Sequence, residues 1–510
     1  MHRRIALILV FILLALLFVH SLNSINQDIG RHLKSGEIIW ETKSVYKTNL
    51  FSFTEPDHQF INHHWLGEVL FYLADRAVGL EGLIILKAII LTLVLVVLFL
   101  SIYGFTGIGP FLTATAFAAP LFLTRTDIRP EIFSYLYLSI FLFVCFKTKY
   151  AWTSDVATTS DVVNQKWIYT LPFVQILWTN THIYFAVGPM IMLFFLIDRY
   201  FGDRTNVRHY LLMFFAVSAA TLVNPNFING ALAPFTILNN YGYSVLENQN
   251  IFFLKDYGLH LLDIAFFQLS LIVLIITAVF AVKNKGFKKL IFELMLATAL
   301  SILAFKMIRN FGLYGLAFIP IVSIFLTYPQ RHSMSFIHRW WYLGVISILV
   351  WLIFNVPNNR VYDALASNKR FGLIVPEGAS KAVEFVKNNN IKGPVFNNFD
   401  IGSFLIWKLY PKQKIFVDGR PEAYSVDFFE KIYKPMQEDP QSWKKYSEQY
   451  KINYVFFNHA DITPWAKKFL ATMSKNTDWA LVYSDQSVAI FLKRTPENKN
   501  LIDKSMDVRP

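Results

Sequence analysis

The chain is short of charge and nearly free of cysteine. Only 16% of its 510 residues are Asp, Glu, Lys or Arg, where a soluble domain carries about a quarter. It lacks the polar linkers that would join roughly two to four soluble domains at this length. It has no internal repeat and no low-complexity tract. These absences exclude a soluble enzyme and a disordered chain. The single cysteine, Cys145, excludes an intrachain disulfide and a disulfide-built secreted module. One thiol is no metal site, and Cys145 lies in an apolar run, so it reads as a small buried hydrophobe. No nucleic-acid motif and no basic helix interleaved with stacking aromatics is present. The excess of 48 Lys and Arg over 35 Asp and Glu, a net +13, therefore reads as positive charge held in cytoplasmic loops.

What the chain has in abundance is apolar surface: 54% hydrophobic residues, 17% aromatic, and a mean hydropathy of +0.39. A membrane helix needs about 20 mostly apolar residues, because the hydrocarbon is ~30 Å thick and each residue rises ~1.5 Å. The sequence predicts an α-helical polytopic membrane protein with about eleven such spans. They cover 5–22, 82–103, 108–124, 131–147, 167–178, 184–198, 209–223, 261–282, 290–305, 310–327 and 340–355. The pair flanking Thr179 to Ile183 is short, as expected of one broken or re-entrant unit lining a cavity. Basic residues at Arg3, Arg4, Lys147, Lys149, Lys166, Arg199, Arg204, Arg208, Lys283, Lys285, Lys288, Lys289, Arg331 and Arg339 all fall on one side of this topology. That places the N-terminus in the cytoplasm. The opposite side receives loops 23–81, 125–130, 179–183, 224–260 and 306–309, and the tail. No small-x-small cleavage site follows the first run, so it is read as a span rather than a signal peptide.

After residue 356 charge becomes frequent and apolar runs shrink to strand length. The expected division is a membrane domain over 1–355 and a soluble extracytoplasmic α/β domain over 356–510. Strands are predicted at 394–397, 414–418, 452–457, 479–483 and 487–492, the last two as a hairpin, with helices at 402–409, 425–436, 441–450 and 463–474. Residues 150–166 form a Ser/Thr/Asp-rich cytoplasmic loop.

Ionisable groups at the membrane face are functional candidates, and here they gather on the non-cytoplasmic side. Asp28 opens the first loop, followed by Arg31 and His32; it is either a base or metal ligand, or a solvated cap on a short helix. His63 and His64 are neighbours whose side chains should diverge, which argues for interfacial polar residues over metal ligands. Asp127, Arg129 and Glu131 sit in a very short turn. They form either a salt-bridged hairpin with Pro130 at the first helical turn, or a second carboxylate beside an arginine suited to phosphate. Asn180 and His182 lie between the short spans. Asn224 and Lys255 lie in the next external loop, which also carries Glu247, and Arg309 stands at the start of a span. Five clusters on one face suggest an external cavity walled by aromatics.

The segments Asp28-Ile29-Gly30-Arg31-His32-Leu33, His64-Trp65-Leu66-Gly67-Glu68, Arg129-Pro130-Glu131, Trp178-Thr179-Asn180-Thr181-His182, Asn224-Pro225 and Arg309-Asn310 occur in a specific order. With Phe396-Asn397 through Val417-Asp418-Gly419-Arg420-Pro421-Glu422, that order resembles the GT-C superfamily of membrane glycosyltransferases. The superfamily includes protein O-mannosyltransferases, oligosaccharyltransferases and lipid A aminoarabinose transferases. More closely, the chain resembles an uncharacterised bacterial branch. The chain departs from oligosaccharyltransferases in one motif: Trp340-Trp341 is followed by Tyr342 rather than Asp.

The resemblance implies an enzyme of the plasma (inner) membrane. It would move a sugar from a polyprenyl-phosphate donor to a lipid, glycan or protein acceptor on the extracytoplasmic side, with inversion. Asp28 would be base or metal ligand, and Asp127 a second acidic residue. The two could share a Mg²⁺ or Mn²⁺ ion. Arg31, His32, His64, Arg129, Glu131, Asn180, His182, Asn224, Lys255 and Arg309 would bind substrate. Membrane lipids are the other expected partners, and nucleic acid is not. Asp418 and Arg420 are read as a pair that fixes their turn. Two other classes remain open at this point: a non-catalytic scaffold or receptor, and a transporter. A transporter should show two related halves and mid-membrane charges, which the sequence does not display.

Overall fold

The computed structural model describes residues 1–22, 28–150, 166–202, 206–236, 240–327 and 335–506, the side chains of 335–339 and 506 excepted. Residues 151–165 of the Ser/Thr/Asp-rich loop, Arg204, Arg331 and the Arg339 side chain lie outside the described residues. The chain divides into two compact units. One comprises Met1–Leu22, Val78–Phe235 and Val245–Ile374; the other comprises Asn23–Ala77, Thr236–Ser244 and Val375–Pro510. This differs from a single cut after residue 355, because much of the first loop packs with the tail residues and 356–374 pack with the helices.

In the first unit a helix occupies every predicted apolar run. Five are long and apolar enough to cross a membrane: Trp65–Ile102, Glu131–Tyr150, Ile183–Phe201, Leu261–Lys285 and Ile308–Thr327. Three more among the described residues, Ile108–Leu123, Val207–Ala220 and Trp340–Asn355, are apolar but shorter. The helix Phe311–Thr327 is hydrophobic on all sides and is buried on all sides, as a helix without a polar stripe must be. It packs chiefly against Ile108–Leu123, and also against Glu131–Tyr150, Leu261–Lys285 and Ile291–Lys306.

Two helices are interrupted. Helix Leu171–Thr181 ends at His182, whose backbone is extended (φ −163°, ψ 146°), before Ile183–Ala186 and Val187–Phe201 resume. This is the broken unit expected from the two short runs. The helix Trp65–Ile102 breaks at Gly79 (φ 70°, ψ 179°), a conformation open essentially to glycine. The division between the units falls at the same place, between Ala77 and Val78.

The second unit carries a four-stranded sheet in the order β1-β2-β4-β3. Its strands are β1 (Val395–Asn397), β2 (Tyr454–Asn458), β3 (Trp479–Ser484) and β4 (Val488–Lys493). β1 and β2 are parallel, and β4 is antiparallel to both β2 and β3. The core beneath them is aromatic: Phe396, Phe416, Phe428, Tyr433, Trp443, Phe457, Phe469 and Trp479 pack together. Helix Asp28–Thr42 lies against Gly402–Leu409. Gly30 permits the contact, since a Cβ there would stand 2.9 Å from the Ser403 carbonyl oxygen and from Trp407 Cβ.

The predicted strand at 414–418 does not form. Ile415 makes one bridge, to Ser52. The Asn397 side chain takes the place of a ladder: its Oδ1 accepts from the Phe416 N–H at 3.0 Å and its Nδ2 donates to the Val417 carbonyl at 2.7 Å. The predicted helix 425–436 begins instead as a π-helical turn, Phe428–Tyr433, followed by Lys434–Glu438.

Candidate functional site

In the first unit the turn Thr124 to Pro130 joins Ile108–Leu123 to Glu131–Tyr150. Seven residues leave no room for its charges to disperse, and a carboxylate from the 245–260 loop meets them. Arg125 donates to Glu131 Oε2 at 2.9 Å and to Glu247 Oε2 at 3.1 Å. Arg129 Nη1 donates to both oxygens of Glu247, at 2.7 and 2.9 Å. Tyr135 donates to the other Glu131 oxygen at 2.6 Å. Burial alone would raise the Glu247 carboxyl, but Arg125 and Arg129 outweigh it and hold it well below the usual carboxylate range. Arg309 donates to Asn248 Oδ1 at 2.9 Å and lies over the Tyr184 ring. Three guanidinium groups thus face two carboxylates. The buried Nε–H groups of Arg125 and Arg309 have no hydrogen-bond partner.

Asp127 turns to a second set of groups. It pairs with Lys369 at 3.8 Å. Burial would raise its carboxyl, yet Lys369 and Arg129 hold it down to about 2. Lys369 also donates to Thr126 Oγ1 at 2.8 Å and to the Leu123 carbonyl at 2.9 Å. His20 Nε2 lies 3.0 Å from both Thr126 Oγ1 and Lys87 Nζ. His20, Lys87, Lys369 and Glu247 were not among the candidate residues. Lys87 did give a signal, as the one charge inside the apolar run 82–103. The others gave none, because they meet this turn from more than a hundred residues away in sequence.

The remaining first-unit candidates hold backbone together. Asn180 Nδ2 donates to the Ile176 and Val223 carbonyls, each at 2.7 Å. His182 Nδ1 lies 2.9 Å from Ser134 Oγ, which also accepts from Trp178 Nε1 at 2.7 Å. Asn224 donates to the Thr221 and Phe227 carbonyls at 2.8 and 2.9 Å. Lys255 is exposed at the end of the short helix Ile251–Asp256.

In the second unit Asp28 begins the helix Asp28–Thr42 and lies 3.7 Å from Arg31 Nη2. Its Oδ1 would be 3.4 Å from a Cβ at Gly419, so glycine there keeps the carboxylate uncovered. Arg31 reaches Glu68 at 3.4 Å, His32 Nδ1 lies 2.9 Å from the same oxygen, and Asn62 donates to the other at 2.7 Å. Burial holds the His32 imidazole below its usual range. His63 and His64 do not diverge: their rings lie 4.1 Å apart, and His64 meets the edge of His32 at 5.7 Å. Asp418 and Arg420 pair at 2.7 Å with both side chains buried, as the turn-fixing reading expects, and Arg420 also donates to Asn49. Asp400 follows β1; burial, then Asp461 and Asp28, push its carboxyl up to about 7.

Neither unit offers a divalent ion a ready donor set. Among the described residues no group of three or more His, Cys, Asp or Glu side chains could hold one. Asp127 lies among cations, which suits an anion better than a dication.

No family model matches the chain, and no curated protein matches its sequence. Solved structures do match. The oligosaccharyltransferase AglB of Archaeoglobus fulgidus, solved with an inhibitory peptide and a dolichol-phosphate, aligns with a TM-score of 0.61 at 12% identity. The alignment covers 98% of this chain and 75% of that one. The same enzyme tethered to an acceptor peptide gives 0.64 at 12% identity, over 97% and 74%. ArnT of Cupriavidus metallidurans bound to undecaprenyl phosphate gives 0.52 at 11% identity, over 96% and 97%. The chain has a GT-C fold. A further match, the A. fulgidus enzyme with Zn and sulfate, has a TM-score of 0.57 at 13% identity. The GT-C fold thus extends through the helices and the tail alike, in accord with the resemblance carried by the short segments.

Proposed function

We propose that this GT-C-fold protein is a membrane glycosyltransferase that takes its sugar from a polyprenyl-phosphate donor. The observation that carries the reading is the fold itself, shared over nearly the whole chain with AglB and ArnT, each solved with a polyprenyl phosphate. The excess of guanidinium over carboxylate at the Thr124 to Pro130 turn supports it. In this reading the acceptor hydroxyl attacks the anomeric carbon on the extracytoplasmic side. The bond from that carbon to the phosphate oxygen breaks, and its electron pair leaves with the polyprenyl phosphate. The acceptor proton passes to the Asp28 carboxylate, which Gly419 leaves open. Arg125, Arg129 and Arg309 stabilise the charge growing on the departing phosphate, as preorganised donors do in a site shielded from water. Inversion follows from a single displacement. Arg31 and His32 position Asp28. No step is routed through a metal ion.

The test is release of polyprenyl phosphate, followed by mass spectrometry, from a panel of polyprenyl-phosphate sugars with native membrane extract as acceptor. Wild type and Asp28→Asn are compared in lipid nanodiscs. Release by wild type and its loss, by about a hundredfold or more, in Asp28→Asn is the expected result. Equal release from both removes Asp28 from the chemistry. No release from folded wild type with any donor overturns the reading.

A further inference from the structure

Within the first unit an apolar groove of about 520 Å³ lies among the helices His2–Phe18, Ile108–Leu123 and Ser335–Asn355. Its walls include Leu13, Ala116 and Ile348, and Arg360 and Asn355 stand at one end. Leu17, Pro120, Leu123 and Leu365 line this groove and also a second, smaller pocket. That smaller pocket ends on Thr126 and Lys369. A long apolar channel therefore runs into a buried ammonium group, on the same turn that carries Arg125, Asp127 and Arg129. Arg360, exposed and tied to Asn355 at 3.3 Å, adds a second cation at that end.

We propose that this groove seats the hydrocarbon chain of an isoprenoid phosphate, with its phosphate drawn to Lys369. The inference rests on the glycosyltransferase reading and names the route by which the donor lipid reaches the turn: laterally, between His2–Phe18, Ile108–Leu123 and Ser335–Asn355. The occupant follows from complementarity. The channel offers almost no polar partner along its length, so only a hydrocarbon chain gains by filling it. Its end offers cations, so the head is an anion. Lys369 already serves Thr126, the Leu123 carbonyl and Asp127. An arriving phosphate takes over that ammonium in competition with Asp127, which would release the Asp127 carboxylate when the lipid is seated.

The experiment uses the full chain in nanodiscs. Undecaprenyl phosphate carrying a photoreactive group on its chain is crosslinked to wild type and the adducts are mapped. Its binding is measured by native mass spectrometry in wild type, Ala116→Trp and Ile272→Trp. Ala116 lines the groove, whereas Ile272 is 54% exposed on the separate helix Leu261–Lys285. Adducts on Leu13, Ala116 or Ile348, and at least tenfold weaker binding in Ala116→Trp alone, are expected. Undecaprenol and phosphatidylglycerol should bind more weakly than undecaprenyl phosphate, and inorganic phosphate should not compete. Adducts elsewhere, unchanged binding in Ala116→Trp, or equal binding of phosphatidylglycerol overturns the proposal. The wild-type adduct map stands even if a variant misfolds. Groove binding without sugar release would sink the enzyme reading alone. Sugar release unaffected by Ala116→Trp would sink the groove alone.

Discussion

The first unit buries two charged clusters, and they are built differently. One joins the helices Glu131–Tyr150, Val187–Phe201 and Ile291–Lys306. There Lys149 donates to Asp198 at 2.7 Å and to Glu293 at 2.6 Å, Tyr150 donates to the second Glu293 oxygen, and Arg199 to the second Asp198 oxygen. The Phe292 N–H completes Asp198. Two cations meet two carboxylates, and none of these side chains leaves a buried polar atom without a partner. The other cluster, at the Thr124 to Pro130 turn, sets three guanidinium groups against two carboxylates and leaves two buried Nε–H groups unmatched. A balanced, saturated cluster has nothing left to offer a ligand and ties helices together. An unbalanced one holds its excess charge for something that arrives.

Breaking the balanced cluster should show the largest effect. Lys149→Met strands two buried carboxylates, so stability should fall by about 3–5 kcal/mol. A drop in the thermal unfolding midpoint, with sugar-transfer rate per folded molecule retained, is the outcome to look for. A loss of transfer at full stability would mean that the Lys149 cluster is itself a site. Arg309→Gln probes the unbalanced cluster at the arginine whose partners are neutral. Its midpoint should stay near wild type while transfer falls roughly a hundredfold, as when one preorganised donor is removed from a transition state. Unchanged kinetics would assign Arg309 to structure.

The smallest effect concerns Asp127, whose carboxyl is held at about 2. A carboxylate with a depressed folded pKa contributes stability above its unfolded value near 4, and that contribution is lost as pH falls toward 2. Asp127→Asn should therefore cost about 2 kcal/mol at neutral pH, and the gap to wild type should close progressively below about pH 4. A gap that persists at pH 2 would trace the cost to something other than the ion pair with Lys369.

Much of this architecture could be read along the chain. The spans were legible because an apolar run of the right length has few alternatives to a helix. The strands 452–457, 479–483 and 487–492 were legible because β-branched and aromatic residues were bounded by turn residues. The segment 414–418 has the same composition, yet Asn397 binds its backbone through a side chain, and no local pattern reports that. The turn holding Asp127, Arg129 and Glu131 stood out because two spans are joined there by so few residues. Its partners Glu247, Lys369, His20 and Lys87 did not.

By itself the sequence determined that the chain is helical and membrane-bound, where the helices break, and which short turn concentrates charge. Those are local matters, settled by hydrophobic run length and by a few residues of backbone. Only the tertiary structure decided which charges cancel and which remain. Neutralisation depends on groups that approach within a few ångströms from distant segments, as Glu247 approaches Arg125 and Arg129, and electrostatic energy in a buried site follows distance in space rather than separation along the chain.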